Sequence, residues 1–244
     1  MKKIIIVFFV LLILTGCTAS KKEVDTANTY SGKETALSKK YLSKGYLVNI
    51  YRSAVSLGDD AENYGKSYIT MTFNVITEIT STVAYDETNN HIKKKVISNI
   101  RLIKTPKMGM AEEIYPDYSA STTNVELKGS NNSYTKEYSN PIYYSDQTSI
   151  GVTLNRIALF DSAAYGWDEQ PTTSQIYNDL GITREAVALT LGFRIELTTV
   201  AGKVLYKDYE IEMPPKGYDI GGTEFQMKFM TDDISQMGTF LEKE

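Results

Sequence analysis

Two stretches of the chain alternate hydrophobic and polar residues with a period of two. Ile69, Met71, Phe73 and Val75 alternate with threonine and asparagine, and a longer run over Val187–Leu197 alternates in the same way. This period places the hydrophobic side chains on one face of a strand and the polar side chains on the other. Both stretches therefore predict half-buried β-strands.

Helix signals are short and few. The run Ser31–Glu34 fits a capping box, and Gly45 is placed to end the helix that would follow it. The run Thr172–Gln175 has the same spacing, and Gly181 is placed as its stop. The sequence predicts one or two short helices in a chain that is otherwise made of strands.

The two alternating regions are similar to each other. Tyr68–Ser81 aligns with Ala186–Thr199 without a gap, and the strands before and after these segments also match in the same order. A shared order of matched segments favours an internal duplication over the general similarity of amphipathic strands. The sequence therefore predicts two related copies in tandem.

The pattern of strands, turns and short helices predicts an all-β fold of antiparallel Ig-like β-sandwiches. We expect one sandwich over residues 46–147 and a second over residues 148–244. The alternative is one larger sandwich with pseudo-two-fold symmetry. The term Ig-like is used loosely, because the Cys…Trp…Cys spacing of immunoglobulin domains is absent.

The N-terminal segment has the pattern of a secretory signal. Two lysines precede an unbroken apolar run, Ile4–Leu14, which is too short to span a bilayer as a helix. The residues that follow this pattern, Leu14, Thr15, Gly16 and Cys17, resemble the lipobox of bacterial lipoproteins position by position.

This resemblance implies a lipid anchor. Residues 1–16 would be the signal peptide, and Cys17 would be diacylglycerated on its sulfur and become the mature N-terminus. The protein would then lie on the extracytoplasmic face of a bacterial cell membrane, with the membrane as a partner through the lipid. Residues 17–45 begin with a stretch rich in Ser, Thr and Lys, so we expect a polar tether that carries the first short helix.

The charge balance argues against nucleic acid as a partner, and the cysteine count argues against thiol chemistry. The chain has 26 basic and 30 acidic side chains, and we interpret the run Lys93–Lys95 as a solvated hairpin edge. Nucleic acid is therefore not expected as a partner. Cys17 is the only cysteine, which leaves the mature domain without a thiol for a disulfide or a metal.

Candidate catalytic residues are scarce. His91, the only histidine, lies in a polar stretch, and we interpret it as a solvated loop residue rather than a general base. One histidine supplies neither a convincing catalytic triad nor a zinc site. Asp59, Asp60 and Glu62 lack the ligand spacing of an EF-hand and are interpreted as a solvated turn. We therefore expect no catalytic residue, no metal and no cofactor.

Tyrosine is the unusual residue, with 18 Tyr against 8 Phe and 1 Trp. Tyr143 and Tyr144 lie in a polar middle segment, and Tyr165 and Trp167 lie in a predicted loop. Aromatic side chains in loops suit binding surfaces, so these four are the candidate binding residues. Packing between neighbouring strands is the alternative role for tyrosines on strands.

The leading hypothesis is a non-enzymatic lipoprotein of the cell envelope, whose β-domain binds another envelope or extracellular protein or a glycan. The alternative is a carboxylate-dependent glycan hydrolase of the cell surface, which requires two facing acids in a cleft. A solute-binding lipoprotein of a transporter ranks last, because the chain lacks the alternating βαβ units of that class.

Overall fold

A computed structural model describes the chain over residues 31–57, 66–116, 125–126, 134–142, 145–164, 171–216, 220, 227–230 and 238–244. Residues Ser31–Glu244 form one compact unit. The predicted signal peptide (1–16), Cys17 and the start of the tether lie outside the described residues.

Strands dominate the described residues. They are β1 (Gly32–Lys33), β2 (Tyr41–Leu57), β3 (Lys66–Ser81), β4 (Ile92–Lys104), β5 (Met110–Pro116), β6 (Val125–Glu126), β7 (Tyr134–Ile142), β8 (Ser145–Asn155), β9 (Leu159–Asp161), β10 (Leu189–Thr199), β11 (Val204–Met213), β12 (Met227–Met230), β13 (Gly238–Thr239) and β14 (Leu241–Lys243). Two short helices, α1 (Thr173–Asp179) and α2 (Arg184–Val187), precede β10.

The strands form two sheets in which neighbours run antiparallel. The six-stranded sheet has the order β1-β14-β11-β10-β4-β7. The eight-stranded sheet has the order β12-β2-β3-β8-β5-β6, with β13 beside β2 and β9 beside β3. The prediction of an antiparallel all-β fold is confirmed.

The predicted alternation is present in the strands at the centre of each sheet. On β3 the hydrophobic residues Ile69, Met71, Phe73 and Val75 are buried. On β10 the hydrophobic side chains from Leu189 to Leu197 are buried in the same way. The side chains of both sheets belong to one hydrophobic cluster, so the inner faces of the two sheets share a single core.

The division into two tandem copies at residues 147 and 148 is not confirmed. β3 of the first predicted copy pairs with β8, which lies largely in the second, and β4 pairs with β10. Each sheet therefore contains strands of both predicted copies. Moreover, β10 and β11 form a hairpin within one sheet, whereas their counterparts β3 and β4 belong to different sheets. Amphipathic strands share an alternating pattern whichever strand they pair with, so similar sequences do not by themselves define separate domains.

The first predicted helix, within residues 31–45, is wrong. Gly32–Lys33 is the strand β1, Ser38–Lys40 forms one 3₁₀ turn, and β2 begins at Tyr41. Gly45 has a φ of 125° at a bulge in β2, where the register with β3 shifts, rather than at a helix end. Pairing of β1 with β14 and of β2 with β3 outweighs the local helix signals.

The second predicted helix is confirmed. Thr172 caps α1, because its hydroxyl oxygen accepts a hydrogen bond of 3.2 Å from the backbone N–H of Gln175. Gly181 follows the helix with a φ of 65°, the left-handed conformation that glycine adopts at low cost. The residues between the cap and the stop are therefore helical as the sequence predicts.

Candidate functional site

A buried lysine lies on β4, the strand next to the β7 edge of the six-stranded sheet. β4 is paired on both sides, with β10 and with β7, so it is not a sheet edge. Lys95 is opposite Leu197 on β10 and next to the buried pair Ile97 and Ile195, so its side chain is on the core face. Only 1% of this residue is exposed. The predicted solvated edge is wrong for Lys95, although Lys93 is exposed.

The partner of this lysine comes from the other sheet. Asp146 lies on β8, where its side chain shares the inner face with the buried residues Ile150 and Val152. Lys95 Nζ forms an ion pair with Asp146 Oδ2 and donates a hydrogen bond of 3.2 Å to the Gln147 carbonyl oxygen. The ion pair therefore bridges the inner faces of the two sheets.

A third side chain completes the cluster. The Tyr138 hydroxyl, on β7, donates a hydrogen bond of 2.6 Å to the same oxygen, Asp146 Oδ2. The side chains of Lys95 and Asp146 are 1% and 18% exposed, so water screens the pair weakly. We call Lys95, Asp146 and Tyr138 the inter-sheet cluster.

The polar character continues along the inner face of the eight-stranded sheet. Thr77 on β3 and Thr148 on β8 are direct cross-strand partners, and both are buried. Ser43, Ile79 and Asp146 form the next row across the same sheet. The inner face of this sheet is therefore polar around the inter-sheet cluster.

The chemistry of the inter-sheet cluster follows from its donor set. The cluster contains a primary amine, a carboxyl group and a phenol. The carboxyl group contacts the amine and accepts a hydrogen bond from the phenol. Within the described residues, no group of three or more His, Cys, Asp or Glu side chains is placed to hold a metal ion. The cluster can hold a charge pair in the interior, and it places an amine, which is a nucleophile when deprotonated, in contact with a carboxyl group.

His91 has a structural position. It is buried, and its Nε2 lies 3.2 Å from the carbonyl oxygen of Ala84. Its own carbonyl oxygen accepts a hydrogen bond of 2.9 Å from the Val200 N–H in the β10–β11 turn. The prediction of a solvated loop histidine is therefore wrong: His91 joins two turns at one end of the fold.

The predicted binding residues and the predicted lipidation site lie outside the described residues. This holds for the aromatic candidates Tyr143, Tyr144, Tyr165 and Trp167, for the lipobox Leu14–Cys17, and for the acidic residues Asp59, Asp60 and Glu62. Their roles stay predictions. The sequence analysis did not predict the inter-sheet cluster. The signal in the sequence is that Lys95 lies two residues before Ile97 in an alternating strand, which places both side chains on the same face.

An exposed apolar patch lies on the outer face of the eight-stranded sheet. Tyr68 and Leu159 are direct partners on β3 and β9, with 37% and 46% of each residue exposed. The Arg156 guanidinium carbon lies 5.6 Å from the centre of the Tyr68 ring. Met110, also exposed, is opposite Asn155 on the neighbouring strand. We call Tyr68, Leu159 and Arg156 the outer patch.

Comparison with protein-family models, with curated proteins and with solved structures finds no match to this chain. In the part of the chain that the structure describes, no helix is both long and apolar enough to cross a membrane.

Proposed function

We propose that this chain is a bacterial cell-envelope lipoprotein, held by lipidated Cys17 on the extracytoplasmic face of the membrane. Its β-domain acts without catalysis and binds another envelope or extracellular protein or a glycan. The observation that carries this proposal is the lipobox Leu14–Cys17 at the end of a short apolar run. Two acyl chains on one residue are enough for stable anchoring.

The anchor is tested by metabolic labelling with a radiolabelled fatty acid, followed by membrane fractionation. We expect Cys17→Ala to lose the label and to leave the membrane fraction, because Cys17 is the only thiol in the chain. Thr18→Ala, one residue further on, is the matched control and should keep both properties. A Cys17→Ala protein that stays labelled would exclude lipidation at this position.

We also infer that residues 31–244 form one larger Ig-like sandwich, with the two sheets as its layers. The support is that each sheet contains strands of both halves and that the two sheets share one core. A single sandwich should unfold in one cooperative transition when observed by tyrosine fluorescence and by circular dichroism. Two separate transitions would favour two tandem domains.

The outer patch is the described surface that best supports a binding role. Tyr68 offers a large, rigid ring with little side-chain entropy to lose on binding, and Leu159 extends the apolar area beside it. Arg156 adds a cation over the ring, which suits a partner with acidic or hydroxyl groups at its rim. Tyr68 and Leu159 lie on strands, and Arg156 lies in the short connection between β8 and β9.

The binding role is tested with the full chain in detergent and purified envelope preparations. We expect the double variant Tyr68→Ser/Leu159→Ser to bind about tenfold more weakly, the effect of losing an aromatic contact. Tyr85→Ser is the matched control, because Tyr85 is 75% exposed and follows the opposite end of β3. Equal affinities of the two variants would exclude the outer patch. Release of soluble sugar by the protein would favour the glycan hydrolase instead.

A further inference from the structure

We propose that Lys95 and Asp146 are joined by an amide bond, formed by the protein itself, which links the two sheets covalently. The reacting groups are already in contact, since Lys95 Nζ pairs with Asp146 Oδ2. The two residues lie on the inner faces of different sheets, on β4 and β8, where the surrounding strands restrict both side chains. An amine held against a carboxyl group in a fixed geometry reacts as if at very high concentration.

The reaction needs a neutral amine as the nucleophile. Lys95 is almost completely buried, and burial in a medium of low dielectric penalises its ammonium form. Transfer of one proton from Nζ to Oδ2 converts the ion pair into a neutral amine and a neutral acid. The amide then removes both charges from the interior, where keeping them is unfavourable.

The reaction balances without a further reactant, because every bond that forms is matched by one that breaks. The Nζ lone pair attacks Asp146 Cγ, and the C–N bond forms while the Cγ=Oδ1 electrons move to Oδ1. A second proton passes from Nζ to Oδ2, the Cγ–Oδ2 bond breaks, and the Cγ=Oδ1 double bond forms again. Oδ2 leaves as water with two of the three ammonium protons. The Tyr138 hydroxyl, 2.6 Å from Oδ2, helps to hold the carboxyl group in place for this attack.

Such a bond would stabilise a domain whose composition offers no disulfide. Cys17 is the only cysteine, so the domain has no disulfide to restrict its unfolded state. An amide bond between Lys95 and Asp146 would close a covalent loop between the two sheets, as a disulfide does in other proteins. It would need no oxidant, because the reaction loses water rather than electrons.

The test is tryptic digestion of the purified, folded full chain after denaturation, followed by mass spectrometry. Trypsin does not cleave after a lysine whose amine is in an amide. We therefore expect residues 95–101 to stay joined to residues 137–156, with a mass equal to the sum of the two peptides less one water. Fragmentation of this species should place the link between Lys95 and Asp146.

Three results would overturn the proposal. The first is recovery of peptide 96–101 and of unmodified peptide 137–156 from protein whose circular dichroism shows the β-fold. The second is loss of water within peptide 137–156 alone, which would indicate dehydration at Asp146 without a link. The third is an unchanged linked species in Lys95→Arg, a variant that keeps the positive charge and the donors but has no primary amine to acylate.

Discussion

Arg194 and Asp208 are direct partners on β10 and β11, joined by two hydrogen bonds of 2.7 Å from Nε and Nη2 to the two carboxylate oxygens. Only 3% of Arg194 is exposed, although its neighbours Phe193 and Ile195 point to the opposite face and fill the core. The guanidinium carbon lies 4.5 Å from the centre of the Tyr206 ring. A planar guanidinium fits the carboxylate and the ring at once.

Arg194→Lys should therefore destabilise the fold although the charge is kept. Lysine loses the two-point contact with Asp208 and the flat contact with Tyr206, which we expect to cost about 1–2 kcal/mol of unfolding free energy. Urea denaturation measures the difference. Arg101→Lys is the control, because Arg101 is exposed on the neighbouring strand, and its effect should stay within about 0.5 kcal/mol. Equal effects would show that the Arg194 contacts contribute nothing specific.

Asp146→Ala should be among the most destabilising changes in the chain. Joined by an ion pair or by an amide, Lys95 loses its carboxyl partner in this variant, and its amine stays buried. Breaking a buried pair on one side typically costs about 3–5 kcal/mol. Denaturant unfolding of the variant and the wild type gives the value directly.

Glu137→Ala is the control for Asp146→Ala, because it removes an exposed ion pair between β4 and β7. Lys94 and Glu137 form an ion pair of 3.7 Å between β4 and β7, and both side chains are well exposed. Exposed pairs contribute about 0–1 kcal/mol, so Glu137→Ala should change stability little. A loss for Asp146→Ala as small as that for Glu137→Ala would contradict the structural importance of the inter-sheet cluster.

The contrast between Lys94 and Lys95 shows which features of the fold the sequence could predict. The alternation on β3 and β10 predicts strands and their buried faces, because that information is local to each strand. The alternation with Ile97 puts Lys95 on the buried face of β4, but only the pairing of β4 on both sides shows that this segment is not a solvated edge. The partner Asp146 is distant in the sequence, and no local pattern connects the two. A run of charges alone therefore predicts solvent exposure.

One of the two helix predictions is confirmed and the other is wrong, and a single physical reason explains both outcomes. At Thr172 the cap, the helix and the stop at Gly181 are local features, and the structure contains all three. Around Ser31 the same local signals compete with strand pairing to β14 and β3, and pairing prevails. Propensity and capping are weak compared with hydrogen bonding and burial that involve distant segments.

Thr172→Ala should weaken α1 through the loss of its cap. The Thr172 hydroxyl is the acceptor for the Gln175 N–H at 3.2 Å, and removal of such a cap costs about 1 kcal/mol. Thr173→Ala, at the first position within the helix, is the control and should be neutral or slightly stabilising, because alanine has the higher helix propensity. Thermal unfolding of both variants checks the difference, and a larger loss for Thr173→Ala would contradict the assigned cap.

Lys207 should make the stability of the fold depend on pH. It occupies a core-facing position on β11, between the buried residues Leu205 and Tyr209, and its Nζ lies 5.2 Å from the centre of the Tyr209 ring. Burial lowers the pKa of Lys207 from 10.5 to about 8. Between these values the unfolded chain binds more protons than the folded chain, so the contribution of Lys207 to stability becomes more favourable as the pH rises.

The measurement is the unfolding free energy of the wild type and of two variants at about pH 7 and about pH 9.5. Lys207→Met removes the buried charge, so its advantage over the wild type should be largest at the lower pH and shrink at the higher one. Lys207→Arg stays charged throughout, so the wild type should gain stability relative to it over the same interval. Burial raises the pKa of Tyr41 to about 12, so Tyr41 stays protonated in the folded state of all three proteins over this interval, and its contribution cancels in these differences. Parallel pH profiles for the three proteins would show that Lys207 keeps its ordinary pKa in the folded state.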